Sequence, residues 1–287
     1  MPREGIDYAW HHRVDTDALR RGGATFVVRY VSHDESKNLS AAEARLLSDA
    51  GFDLAVVWES TQCRAREGKS AGAADAHTAA AQAKACGMPA TRPVYFAVDF
   101  DAGDADLPLV VDYLHGAASA LGPRRVGVYG GYRVVGHCLD QKVVGFAWQT
   151  YAWSAGRRDP RAQLYQHQNG VVIGGVSCDR DTAFAADFGQ WQVEAEKAPA
   201  FPYPPADYLG TARPDPHCHS GTDAVERRNI ARWQKKMAER GWRIDATGVF
   251  NRQSERVCIA FQTEKHLAAD GLVGPITWTT TWTAPVT

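Results

Sequence analysis

The stretch "PVYFAVDFDAGD", residues 93–104, is a continuous apolar run that ends in two carboxylates one residue apart, Asp99 and Asp101. Such a run reads as a strand buried on both faces, since a strand with one wet face alternates apolar and polar residues. Side chains at i and i+2 of a strand share a face. The spacing therefore predicts that both acids leave the C-terminal end of this strand in the same direction.

Seven further β-rich runs, each bounded by turn residues, flank it: 5–9, 25–32 and 53–60 before, and 125–132, 145–152, 162–168 and 175–181 after. Helix-like segments separate the first six. "DTDALRRGG" has an Asp cap and a Gly stop, and "SAAEARLLSDAG" opens with a Ser40–Glu43 capping box and ends at Gly51. This alternation predicts a parallel sheet, and eight strands predict closure into a barrel. The spacing then tightens, because "WSAGRRDPR" and "NGVVIG" are too short to hold a crossover helix. The expected fold class is α/β: an irregular TIM-like barrel of eight strands and about five helices, plus a small C-terminal helical module.

The expected domains are a barrel over 1–190, a Pro-rich and polar linker over 191–218, and a helical module over 219–287. In the module, Ile230, Trp233 and Met237 fall at i, i+3 and i+7 and mark one apolar helix face. "TGVFNRQS" (247–254) is echoed by "DGLVGPIT" (270–277).

Composition narrows the function classes. The 287 residues are 45% hydrophobic and 23% charged, which supports a sizeable core. A formal net charge of −1 gives no global basic field for nucleic acid or an anionic membrane. No apolar run reaches membrane-spanning length, and "MPREGIDYAW" lacks the basic-then-apolar pattern of a signal peptide. Six cysteines form no CxxC pair; four read as isolated buried thiols, while Cys218 and Cys258 flank the module and are placed to pair.

The acids carry the chemistry. Asp7 ends the first strand, Glu59 the third, and Asp179 with Asp181 the eighth. In a barrel these join Asp99 and Asp101 at the C-terminal mouth, and closure sets Asp7 beside Asp179. Three readings stand open: a glycosidase pair of carboxylates, an oxygen-ligand site for a hard cation, or acids that cap helices and pair with Arg29 or Arg180. Aromatic residues at the strand ends favour sugar, whose rings stack on flat faces: Tyr8, Trp10, Tyr30, Trp58, Tyr129, Tyr132, Trp148, Tyr151, Trp153 and Tyr165. Tyr129 and Trp153 are the leading cleft candidates among them. "HCHS" (217–220) has the residue types of a metal site without a partner pair, and "GVYGGYRVVG" lacks the spacing and Lys of a phosphate loop.

"GID" in the first strand, "YFAVDFDA" in the fourth, "YQHQ" in the seventh and "CDRDTAF" in the eighth resemble glycoside hydrolase family 25 lysozymes. The closer match is the related glycoside-hydrolase-like group called domain of unknown function 1906, over residues 3 to 190. The resemblance implies catalytic roles for Asp99, Asp101, Asp7 and Asp179; Glu59, placed with them by its position at the end of the third strand, has no counterpart among those lysozymes and is expected as a substitute acid or a structural residue. The expected substrate contacts are Tyr8, Trp58, Tyr129, Trp148 and Trp153 from the aromatic set, with Gln166 from the matching "YQHQ". Asp101 stands where those lysozymes carry Glu, about one methylene shorter in a reaction sensitive to ~1 Å. "IARWQKKMAERGW", "TGVFNRQSERVCIAFQ" and "DGLVGPITW" resemble the three-helix peptidoglycan-binding domain.

The resemblances imply a muramidase-type cell-wall hydrolase of phage-endolysin kind. A non-catalytic glycan-binding protein is the alternative, and metal-dependent hydrolysis of another wall bond is a third. The expected partner is peptidoglycan, bound by a monomer with no cofactor and no assigned metal. The expected place of action is the bacterial cell wall, reached by lysis or a non-classical route.

Overall fold

The computed structural model describes residues 1–10, 14–194 and 197–284. The chain divides into two compact units, Met1–Glu194 and Ala195–Thr287.

The first unit is a closed eight-stranded barrel: β1 (Arg3–Tyr8), β2 (Phe26–Val31), β3 (Asp53–Trp58), β4 (Val94–Ala97), β5 (Val126–Gly130), β6 (Phe146–Thr150), β7 (Leu164–Ile173) and β8 (Val176–Ala183). Five helices cover it: α1 (Thr16–Arg21), α2 (Ala41–Asp49), α3 (Gly68–Ala85), α4 (Leu107–Leu121) and α5 (Tyr132–Asp140). Strand parity sorts the side chains. Phe26, Val28, Val57, Tyr95, Trp148 and Phe188 fill the barrel, while Val27, Val56, Phe96, Val110 and Leu114 pack between strands and helices. Gly5 makes room for one inner ring, since a Cβ there would sit 2.4 Å from Phe26.

The parallel pairing expected of the alternating segments runs from β1 to β7 and stops at the last strand, within the irregular barrel. β8 runs antiparallel to both β7 and β1. Ile173 pairs with Val176 across Gly174 and Gly175, whose φ values are 58° and 82°. Two successive positive φ angles make the tight turn that matches strand twist, and glycine adopts them without strain. The "NGVVIG" stretch is thus the end of β7 and its turn.

The expected capping box is half realised. Ser40 Oγ accepts from the Glu43 amide at 3.1 Å, but the Glu43 carboxylate accepts from Arg29 and from the Tyr8 hydroxyl instead of folding back.

In the second unit, α6 (Ala224–Glu239), α7 (Arg252–Glu264) and α8 (Pro275–Thr283) enclose Ile230, Trp233, Met237, Phe250, Phe261 and Trp278. The expected linker is divided between the units. Trp191 exchanges backbone hydrogen bonds with Leu54 in the barrel. Residues 197–218 belong to the second unit, where Trp278 Nε1 donates to Pro199 O at 2.8 Å and Phe201 packs edge-on to Trp278. Two short strands, β9 (Tyr208–Leu209) and β10 (Cys218–His219), pair there, and Leu209 bonds Val273. The Pro-rich composition conceals these apolar anchors because they follow no period. Cys218 and Cys258 are both free thiols, so the pairing left open between them is not formed.

The sequence echo has a structural cause. Gln234 Oε1 accepts from Gly248 N, and its Nε2 donates to Val249 O and Ser254 Oγ. Gln262 repeats this with Gly271 N, Leu272 O and Thr277 Oγ1. Each glutamine ties its helix to the next Gly turn and to the start of the following helix. Gln262→Leu is expected to destabilise the unit by about 2–4 kcal/mol, because it leaves buried backbone groups unpaired. Urea unfolding followed by the fluorescence of the unit's tryptophans measures this.

Candidate functional site

The C-terminal ends of β1 to β6, Gln166 near the start of β7 and the middle of β8 form the mouth. Asp7 faces inward from β1, and the β1–β8 register sets it opposite Asp179. Both Asp7 oxygens are engaged: Tyr30 OH donates to Oδ1 at 2.9 Å, and Gln166 Nε2 to Oδ2 at 2.8 Å. Gln166 Nε2 also reaches Asp179 Oδ2 at 3.2 Å, and Gly170 N donates to Asp179 Oδ1 at 2.8 Å. Tyr129 OH donates to Gln166 Oε1 at 2.8 Å, which fixes the amide so that its NH₂ faces the acids. Asp181 lies deeper, 0% exposed, with Trp148 Nε1 donating to its Oδ1 at 2.8 Å.

Burial dominates the electrostatics of this group. It pushes the Asp7 carboxyl up to about 7, with the Asp179 charge adding to the rise and the Gln166 and Tyr30 donors opposing it. Burial and then the Asp7 charge hold Asp181 well above the usual carboxylate range. Burial also raises Asp179, against the pull of the Gly170 amide.

A second group sits across the mouth. Glu59 continues the β3 ladder, its amide donating to Val31 O, and Lys37 Nζ meets its Oε1 at 2.8 Å. Asp99 is half-buried, and burial followed by the Glu59 charge raises its carboxyl, with Lys37 opposing.

Asp101 departs from expectation. β4 ends at Ala97, the last ladder bond runs from Val98 N to Tyr129 O, and the chain then turns. Without a strand the i, i+2 rule no longer applies, and Asp101 is exposed.

The aromatic expectations divide by parity. Tyr129 and Trp148 line the interior with ring centroids 4.5 Å apart. Tyr8 and Trp58 point the other way, into the layer between strands and helices. The Tyr8 ring lies under the Arg29 guanidinium at 4.4 Å, and Trp58 packs edge-on to His33, so neither can meet a ligand in the mouth. Trp153 follows β6, is 39% exposed and holds φ at 54°, an unusual value for a bulky residue. Its neighbour Ser154 anchors that turn: its hydroxyl donates to Thr150 O at 2.6 Å and accepts from Tyr132 N at 2.9 Å.

Five residues that build the site lie outside the expected site set. Tyr30 enters the sequence reading only as one aromatic among many, and Asp181 only as the i+2 partner of Asp179. The others are Lys37 and the Arg29–Glu43 pair. Arg29 is 0% exposed and donates to Tyr8 O, Ala9 O and Lys37 O, which ties the end of β1 to the Lys37 segment. Strand parity alone finds Tyr30, which lies two residues beyond the inward Val28. Among the described residues no group of three or more His, Cys, Asp or Glu side chains is arranged to hold a metal ion. The "HCHS" histidines both bond Asp207, His217 Nδ1 at 2.8 Å and His219 Nε2 at 2.9 Å. No helix among the described residues is long and apolar enough to cross a membrane.

The family model described as an Rv2525c-like, glycoside hydrolase-like domain matches residues 17–183. No curated protein sequence gives a significant match. Among solved structures, the Tat-secreted protein Rv2525c of Mycobacterium tuberculosis in complex with L-tartrate aligns at 26% identity and TM-score 0.63. That alignment covers 66% of this chain and 98% of that one. The same protein in complex with HEPES aligns at 25% identity and TM-score 0.62, with the same coverage. The modular autolysin LytC of Streptococcus pneumoniae, in complex with a synthetic peptidoglycan ligand, aligns at 14% identity and TM-score 0.50. It covers 64% of this chain and 47% of that one, a likeness of fold.

Proposed function

Because the chain belongs to the family of Rv2525c-like, glycoside hydrolase-like domains, we propose that its barrel hydrolyses a glycosidic bond of peptidoglycan. One observation carries this reading. Asp99, raised by burial and by Glu59, follows β4, across the closed barrel from Asp179 on β8, which shares the Gln166 amide with Asp7. Glycosidic cleavage needs one carboxyl that keeps its proton and another that faces positive charge at the anomeric carbon. Asp99 donates its proton to the leaving oxygen. Glu59, paired to Lys37, sustains that proton by its charge. Asp179, held by the Gly170 amide, faces the developing cation.

Trp153 is the stacking platform for a sugar ring. Its left-handed backbone, pinned through Ser154, supports a fixed orientation. Trp153→Ala is expected to weaken binding to purified walls about tenfold, or about 1.4 kcal/mol, in a pelleting titration. Trp153→Phe is expected to recover part of that loss.

The C-terminal unit is a peptidoglycan-binding module that raises the local concentration of wall substrate. The place of action is the cell wall, a reading supported by the secretion of the similar M. tuberculosis protein. A second reading, binding without hydrolysis, is favoured by Asp101, which stands where the lysozymes carry Glu and is exposed beyond the end of β4. Incubation with purified walls and mass spectrometry of the products decides between them. New muropeptides support hydrolysis, and tight binding with none supports the alternative.

A further inference from the structure

Asp181 has one polar atom the site does not explain. Its Oδ1 accepts from Trp148, whereas Oδ2 is buried and has no donor among the described residues. An ionised carboxylate oxygen left without a donor in a closed interior is costly, and removing the charge with a proton relieves that cost. The neighbour available is Asp7, an inward acid on the paired strand whose two oxygens already accept from Tyr30 and Gln166. Gln166 cannot turn its carbonyl toward the acids, because Tyr129 holds that oxygen.

We infer that Asp181 and Asp7 hold a single proton between them, carried on the Oδ2 oxygen of Asp181 and donated to Asp7. Asp181 is thereby a positioning residue: the inner floor of the mouth carries one charge from this pair instead of two, and Asp179 above it stays the outermost acid on that side. The shared proton rests on the donorless Asp181 Oδ2 and on two inward acids of paired strands, whereas its part in turnover rests on the hydrolase reading. The groups facing the pair are Tyr30 from β2, Tyr95 from β4, Tyr129 from β5 and Asp179 from β8, with Glu59 beyond Tyr30 and Asp99 beyond Tyr129. Cys178 and Arg180 alternate to the opposite face of β8.

Proton binding by the full chain, with carboxyl ¹³C resonances following individual aspartates, tests this. The wild type is expected to release one proton in a step near the raised Asp7 value of about 7. The step belongs to the pair, so Asp181→Asn and Asp7→Asn are each expected to abolish it. Asp179→Asn is expected to keep the step and move it to lower pH, since one like charge is gone.

Stability gives a second readout. A carboxyl raised on folding favours the native state at low pH and loses that contribution as pH rises from the unfolded value through the folded one. The fall in unfolding midpoint between about pH 4 and 7 is therefore expected to shrink in both dyad variants. A step that persists unchanged in Asp181→Asn overturns the inference. Should that variant fail to fold, Asp7→Asn takes its place, and a step that persists there overturns the inference equally. Wild type that shows the step but releases no muropeptides supports the shared proton and sinks the hydrolase reading.

Discussion

Asp99→Asn is expected to lower the release of reducing ends from purified walls by about 10³-fold, while the barrel stays folded. An amide cannot give up the proton that general acid catalysis requires, a contribution of about 10²–10⁴ in rate. The sign of the stability change makes the test sharper. The Asp99 carboxyl is raised by burial and by Glu59, so its ionised form costs native stability above the unfolded pKa. At neutral pH the asparagine variant is therefore expected to unfold at the wild-type temperature or above, and lost activity cannot be ascribed to lost structure. Asp101→Asn is expected to keep activity within about twofold, because its side chain is exposed beyond the end of β4. The reverse pattern, with Asp101 essential and Asp99 dispensable, would move the proton donor to the exposed side of the turn and exclude Asp99 as the acid.

Glu43→Ala is expected to destabilise the barrel by about 3–5 kcal/mol, since removing one member of a buried ion pair leaves the other charge uncompensated. Arg29 Nε and Nη2 donate to the two Glu43 oxygens at 2.7 and 3.1 Å, and the Tyr8 hydroxyl donates to the same carboxylate at 2.7 Å. The double change Arg29→Met with Glu43→Leu is expected to cost less than Glu43→Ala alone, because it removes both charges together. Guanidinium unfolding of the three proteins completes the comparison. A single-variant loss below about 1 kcal/mol would place the pair among surface-like interactions.

The eight strands are legible because each apolar run is bounded by turn residues, and so is the neighbouring of Asp7 and Asp179 once closure is assumed. The direction of β8 is also written in the chain. Gly174-Gly175 between apolar residues is a hairpin signature, and the link is too short for a crossover helix, but the six parallel connections before it draw the reading toward a wholly parallel sheet. Parity is available as well. If Asp7 and Glu59 face inward, their neighbours Tyr8 and Trp58 must face outward, so the aromatic and acidic expectations conflict at adjacent positions. Two features lie beyond local reading. The end of β4 at Ala97 depends on where the β5 ladder stops, and the partner that allows Arg29 to be buried lies on a helix fourteen residues away.

The anchoring of residues 197–219 on the helical unit bears on how the chain is cut. Limited proteolysis at its Pro-rich stretch is expected to be slow wherever β9 and the Pro199–Trp278 bond hold the backbone. A fragment begun at residue 219, as composition would recommend, sheds Phe201, Tyr203 and Leu209 and bares the Trp278 face they cover. Such a fragment is expected to aggregate on expression, and one begun at residue 197 to remain monodisperse.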